Sequence, residues 1–183
     1  MQKAIFLDRD GVVNVDHAYV HKADDFQFIE GVFEACKLFQ ANGYALVIVT
    51  NQSGIGRGYY SEAQFHELTN WMCEEFQRHG VEITGVYFCP HHPKNAQGEY
   101  LRECDCRKPY PGMLLQAANE HVLDLASSVM VGDKSSDMEA AHAAGVPNRV
   151  LVRSGQKISE SCQALATHVV DSLAEVPTTL GLK

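Results

Sequence analysis

What this chain lacks narrows its class before any motif is considered. It holds no uninterrupted apolar segment near the roughly 20 residues needed to cross a bilayer, and no apolar stretch behind a basic start of the kind that directs export. A cytoplasmic location is the expectation. Positive charge is short: 15 Lys and Arg stand against 23 Asp and Glu, a formal charge of −8, so the chain is poor in the cations that neutralise nucleic-acid or membrane phosphates. Neither nucleic acid nor membrane is an expected partner. Repeats, linkers and low-complexity tracts are also missing, and 183 residues suit one domain, 1–183, with a single good core. No apolar stripe beyond core needs stands out, so a monomer is expected. Six cysteines in a chain without export signals read as thiols or metal ligands rather than disulfides.

What the chain does have is a regular alternation of apolar runs and amphipathic segments. Ala4 to Leu7, Tyr44 to Val49, Thr84 to Phe88, Ser128 to Val131, Arg149 to Val152 and His168 to Val170 read as strands. Between them, Gly31 to Asn42, a segment from the capping box Ser61-Glu62-Ala63-Gln64 to Gly80, Pro111 to about Leu123, and Ser135 to Ala144 read as helices. Asn51 to Tyr60 reads as a glycine-rich loop. This order predicts an α/β fold with a Rossmann-like, doubly wound parallel sheet, whose ligands bind beyond the C-terminal strand ends. Trp71 falls on the inward face of its helix and reads as core, while Cys36, Cys73 and Cys162 read as filler and Asp24-Asp25 as a solvated loop.

Three strand ends carry polar groups suited to phosphoryl chemistry. The first strand stops at Asp8-Arg9-Asp10-Gly11, the second runs into Thr50-Asn51-Gln52-Ser53-Gly54, and a later one ends in Gly132-Asp133-Lys134-Ser135-Ser136-Asp137. Two carboxylates delivered to one strand tip repel unless a cation or proton lies between them, and Mg²⁺ takes one or two protein carboxylates plus substrate phosphate. Asp8 and Asp133 would supply those. An aspartate can also attack phosphorus, with a metal and a lysine absorbing the charge on the transferring group; Lys108 is the candidate lysine. Each piece alone also fits a plainer role: Asp8 to Gly11 as a turn, Thr50 as a loop cap, Lys108 as a solvated lysine, Asp133 as a helix cap.

The segment 89–108 loses periodicity and fills with Cys, His, Pro and charge. Cys89-x-His91 and Cys104-x-Cys106 bracket it, and one imidazole with three thiolates makes a closed tetrahedral zinc site of structural type; His92 competes with His91 as the nitrogen ligand. A metal here would give a loop with little apolar content one shape, directly before Arg107-Lys108.

Taken in order, Asp8-Arg9-Asp10-Gly11, a hydrophobic strand followed by Thr50, Lys108, and Gly132-Asp133 with Asp137 resemble the four motifs of the haloacid dehalogenase (HAD) superfamily of aspartate-nucleophile phosphatases, over residues 4 to 153. The resemblance implies Asp8 as nucleophile and Asp10 as general acid and then base. It implies Mg²⁺ held by Asp8, Asp133 and the main-chain carbonyl of Asp10, with Thr50 and Lys108 on the transferring phosphoryl. About 40 residues separate Asp10 from Thr50, and those from Thr50 to Lys108 are taken up by helix, strand and zinc loop, so no cap domain is expected.

A capless core with a Cys-x-His and Cys-x-Cys loop resembles the branch of heptose-bisphosphate and histidinol-phosphate phosphatases. Thr50 to Gly58 together with Cys104 to Pro109 is most similar to its heptose-bisphosphate members, which implies a sugar bisphosphate as partner. By that resemblance Asp16, His17, Ala18 and Tyr19 border the sugar, and Asn51, Gln52 and Ser53 join them. Arg107 aids recognition and Lys134 lies beside the metal. Arg57 is a further cation for a second phosphate, or else a solvent-facing loop residue. The rival expectations are the same chemistry on histidinol phosphate, and a non-catalytic, zinc-ordered phosphate-binding module.

Overall fold

Strand β1, Ala4–Leu7, is buried at every position and pairs in parallel with β2, Ala45–Asn51, on one side and β4, Val129–Gly132, on the other. The computed structural model describes all of residues 1–183 and completes this sheet with β3, Gly85–Cys89, β5, Asn148–Val152, and β6, His168–Val170. The order is β3-β2-β1-β4-β5-β6, every pairing parallel. Strands covered on both faces must be apolar on both, which is why β1 and β2 read as unbroken apolar runs rather than alternating ones.

Alternate residues go to opposite layers. Ile5, Leu7, Leu46 and Ile48 join one core with Val32, Cys36 and Phe39 of α1, Val32–Ala41, and Leu68, Met72 and Phe76. Ala4, Phe6, Val47 and Val49 join the other with Met113, Leu114 and Ala117 of α4, Gly112–His121, and with Met138, Ala140 and Ala141 of α5, Ser135–Ala144. The helix carrying Leu68, Met72 and Phe76 is α3, Glu62–Arg78; Ser61 accepts from the Gln64 backbone while the Gln64 side chain accepts from the Ser61 N–H, the expected capping box. Trp71 packs partly buried between Phe26 and Phe28, ring centroids 5.4 and 5.9 Å away.

The α/β class and the doubly wound parallel sheet are borne out. Two short helices were not expected: α2, Ser53–Gly56, inside the glycine-rich loop, and α6, Val176–Thr179. Ser-Gly-Ile-Gly has poor helix propensity, and packing rather than propensity holds it: Gly54 and Ile55 are buried. Between β1 and β2 there is only a loop, one 3₁₀ turn and α1, and between β2 and β3 only α2 and α3, so no inserted cap domain is present. No helix is long and apolar enough to cross a membrane.

Candidate active site

Because every strand is parallel, the tips of β1, β2 and β4 open on one rim, and the residues after them meet there. Lys108, only 3% exposed, reaches into this rim and spends its ammonium on three acceptors: Asp8 Oδ1 at 2.9 Å, the Val49 carbonyl at 2.9 Å and Asp137 Oδ1 at 2.6 Å. Burial alone would lower its pKa, but the two carboxylates outweigh burial and raise it, so the lysine stays charged. Asn51 fixes the approach of Lys108 by accepting from its main-chain N–H at 3.0 Å and donating to its carbonyl at 3.2 Å. The solvated-lysine alternative is thereby set aside.

Asp137, one turn into α5, accepts from Lys108 with one oxygen and from the N–H groups of Asp133 and Lys134 with the other. It caps its own helix and is fully engaged. Asp133 is not: its Oδ2 accepts from the Gln156 N–H at 3.2 Å, while its Oδ1 is buried without any hydrogen-bond partner. Burial, then the neighbouring charges of Asp8 and Asp137, pushes the Asp133 carboxyl up to about 9; Asp8 is raised by burial and Asp137 against the pull of Lys108. A pair of buried acids with one orphaned oxygen needs a proton or a cation between them. The main-chain carbonyl of Asp10, two residues beyond Asp8, accepts no hydrogen bond. The donor set, all oxygen, fits Mg²⁺. Gly11 and Gly155 crowd Asp133 so closely that a methyl on either would meet Oδ2 at 2.3 and 2.0 Å.

Asp10 is held from two directions. Arg9 Nη2 at 2.9 Å and Asn14 Nδ2 at 3.0 Å donate to Oδ1, and Gln52 Nε2 at 3.2 Å donates to Oδ2. Gln52 also donates to Thr50 Oγ1 at 2.9 Å, and the Tyr60 hydroxyl donates to Gln52 Oε1. Arg9 is 1% exposed and also donates to the Val20 carbonyl at 2.8 Å; sequence reading passed over it as a spacer between two acids. Asn14, Tyr60 and Gln156 were missed too: Asn14 reaches Asp10 only because the turn after β1 folds back on itself, and Tyr60 and Gln156 reach the site by contacts that no local pattern signals.

A crevice of about 520 Å³ extends outward from these groups. Its wall includes Asp10, Asp16, Ala18, Tyr19, Asn51, Gln52, Ser53, Arg107, Lys108 and Lys134. At its base a pit of about 40 Å³ lies between Asp8, Asp10, Asn51, Lys108, Lys134, Ser136 and Asp137. Ala18 and Tyr19 have left-handed backbones, φ 61° and 55°, with Asp16 accepting from the Ala18 N–H; strain of this kind collects at functional loops. Two expected residues lie off this wall. His17 contacts Gln27 at 3.4 Å in a neighbouring hollow, and Arg57 stands behind Tyr19, its guanidinium 5.9 Å from the ring. Thr50, 1% exposed, lies beneath the lining.

The four zinc candidates converge. Cys89, Cys104, Cys106 and His91 place their donor atoms within 4.8 Å of one another. Cys89 to Cys104 is 3.5 Å, Cys104 to Cys106 3.4 Å, and His91 Nδ1 lies 3.6 and 3.5 Å from Cys89 and Cys106. Tetrahedral Zn–S bonds of about 2.3 Å set ligand sulfurs about 3.7 Å apart; the 3.5 and 3.4 Å edges come close to this, while the Cys89–Cys106 edge of 2.7 Å must open by about 1 Å to admit zinc. The contact with Cys89, and then those with His91 and Cys104, lowers the Cys106 thiol to about 5 against the opposing effect of burial. His92 is excluded as a rival because its Nδ1 accepts from the Lys94 and Asn95 N–H groups at 3.0 and 2.8 Å.

Fold and site together define a HAD-like phosphohydrolase: an acid pair after the first strand, a buried lysine, and an acid after β4 around one metal-ready pit. A family model described as HAD-hydrolase-like matches residues 105–176. A D-glycero-beta-D-manno-heptose-1,7-bisphosphate 7-phosphatase of Vibrio cholerae is 59% identical over 174 residues, covering 95% of this chain and 94% of the relative. The Escherichia coli K12 enzyme of the same name is 51% identical, covering 97% and 93%. Among solved structures, a D,D-heptose 1,7-bisphosphate phosphatase from B. bronchiseptica, complexed with magnesium and phosphate, superposes with a TM-score of 0.81 at 34% identity, 97% of each chain covered. The chain belongs to the HAD-like hydrolases and, within them, to the family of these enzymes.

Proposed function

We propose that this chain is a Mg²⁺-dependent phosphatase that removes the 7-phosphate of D-glycero-D-manno-heptose 1,7-bisphosphate, leaving heptose 1-phosphate for the synthesis of nucleotide-activated heptose of the lipopolysaccharide core. The observation that carries the reading is the meeting of Asp8, Asp10, Asp137 and Lys108 at one pit, with the Asp133 carboxylate grouped beside Asp8 and Asp137, in a chain 59% identical over nearly its whole length to an enzyme of that name.

Asp8 is the nucleophile. Its Oδ1 is tied to Lys108 and to the Arg9 N–H, which hold the carboxylate in place; a carboxylate oxygen of Asp8 forms the new P–O bond as the bond from phosphorus to the sugar O7 breaks. Asp10 gives its proton to the departing O7, a poor leaving group as an alkoxide, and this help is worth roughly 10² to 10⁴ in rate. It then takes a proton from the water that attacks the aspartyl-phosphate, and inorganic phosphate leaves with Asp8 restored. Lys108 and Thr50 steady the phosphoryl oxygens. Asp8, Asp133 and the Asp10 carbonyl would hold Mg²⁺, which when bound offsets the negative charge of the phosphoryl group.

Arg107 and Lys134 bind the phosphorylated sugar from the crevice wall, with Asp16, Ala18, Tyr19, Asn51, Gln52 and Ser53 lining its path. Cys89, His91, Cys104 and Cys106 would hold a structural Zn²⁺ that shapes the loop delivering Arg107 and Lys108. The protein acts in the cytoplasm as a monomer.

Phosphate release measured with Mg²⁺ on heptose 1,7-bisphosphate, sugar monophosphates and histidinol phosphate tests the assignment. The bisphosphate should have the highest kcat/KM, and Asp10→Asn should nearly abolish turnover while leaving binding. Preference for histidinol phosphate, or full turnover in D10N, overturns it.

A further inference from the structure

We infer that Tyr60 is a positioning residue that sets the orientation of the Gln52 amide and, through that amide, the placement of the Asp10 carboxylate and the Thr50 hydroxyl. Gln52 lies just beyond β2, 3% exposed, and its side chain offers one acceptor and one two-proton donor of nearly equal shape. Its neighbours decide which end faces the site. The Tyr60 hydroxyl donates to Oε1, so Nε2 is turned toward Thr50 Oγ1 at 2.9 Å and Asp10 Oδ2 at 3.2 Å. The reverse orientation would set a carbonyl oxygen against a carboxylate and strand the buried hydroxyl proton.

Tyr60 is itself fixed. It is 6% exposed, and its ring stacks on His21 with centroids 4.9 Å apart and planes 6° from parallel. Burial raises the phenol to about 12, so the hydroxyl keeps its proton and remains a donor at any working pH. The other two donors to Asp10, from Arg9 and Asn14, belong to the same turn as Asp10 and move with it. Gln52 is the one donor that comes from across the crevice. It therefore registers the acid of β1 against the threonine of β2, and an error of about 1 Å in such a placement costs on the order of 10² in rate.

The inference rests on the reading of Asp10 as the proton donor, and a double-mutant cycle tests it on heptose 1,7-bisphosphate at saturating Mg²⁺. Tyr60→Phe keeps the ring and its stack; its kcat should fall roughly ten- to a hundredfold with KM changed less than about twofold. Gln52→Ala should lose at least as much, and adding Y60F to Q52A should cost nothing further, since Tyr60 acts only through the amide. Gln52→Glu, which keeps an acceptor for Tyr60 but removes the donor to Asp10, should lose kcat as Y60F does. Full additivity, a Y60F effect on KM alone, or normal kcat in Q52E overturns the inference. Normal turnover in D10N would instead remove the proposed function beneath it.

Discussion

Gly155 carries no polar group, yet Gly155→Ala should be among the most damaging conservative changes in this chain. A Cβ built there would lie 2.0 Å from Asp133 Oδ2 and 2.6 Å from its Cγ, so loop and carboxylate must part by about 1.4 Å to reach ordinary contact. The neighbouring Gln156 N–H, which donates to the same oxygen at 3.2 Å, would be carried away with the loop. Metal ligands tolerate about 0.2 Å, and a catalytic misplacement of 1 Å costs on the order of 10². Half-saturating Mg²⁺ should therefore rise at least about tenfold and kcat/KM fall about a hundredfold. Stability should drop by only the 1–3 kcal/mol typical of overpacking, roughly 2–12 °C in Tm for a domain of this size. The assay is kcat/KM across a Mg²⁺ titration, paired with thermal unfolding. If G155A stays within twofold of the parent in both kinetic quantities, the placement of Asp133 in the metal site is wrong.

Metal binding should also depend on pH. The Asp133 carboxyl is raised from about 3.8 to about 9, first by burial and then by Asp8 and Asp137, so in the metal-free protein it retains a proton that the unfolded chain has lost. Its contribution to stability is present below about pH 4 and is lost as pH rises through about 9, and Mg²⁺ must displace that proton. The rise in Tm caused by Mg²⁺ should thus be larger at pH 8.5 than at pH 6, with affinity improving by up to about tenfold per pH unit; a flat profile refutes this. For zinc, elemental analysis should find one equivalent per chain. Stripping it, or Cys106→Ser, should lower kcat/KM at least about tenfold with Mg²⁺ in excess, because the ligand loop runs directly into Lys108. Full activity without zinc would contradict that arrangement.

The buried strands were legible because burial on both faces leaves unbroken apolar runs, and the start of α3 because a capping box is written in four residues. The acids and Lys108 were legible because their chemistry is rare in combination. The supports were not. Arg9 looks like one more charge until burial and the Val20 carbonyl are seen, and Tyr60, Gln156 and Gly155 matter only through residues far from them along the chain. His91 and His92 are equivalent as letters. The turn at Lys94-Asn95 decides between them by claiming the His92 ring. Helix α2 was hidden because its composition argues against a helix and only its packing makes one.

The central place of β1 has a consequence for how the chain is made. Strand β1, which leads into Asp8, is synthesised before both of its flanking partners, and one of them, β4, is not translated until residues 129–132. Until then the nascent polypeptide carries an apolar edge of β1 with no neighbour, the condition in which ribosome-associated chaperones are most needed. The catalytic rim thus stays incomplete until β4 has been made and docked against β1.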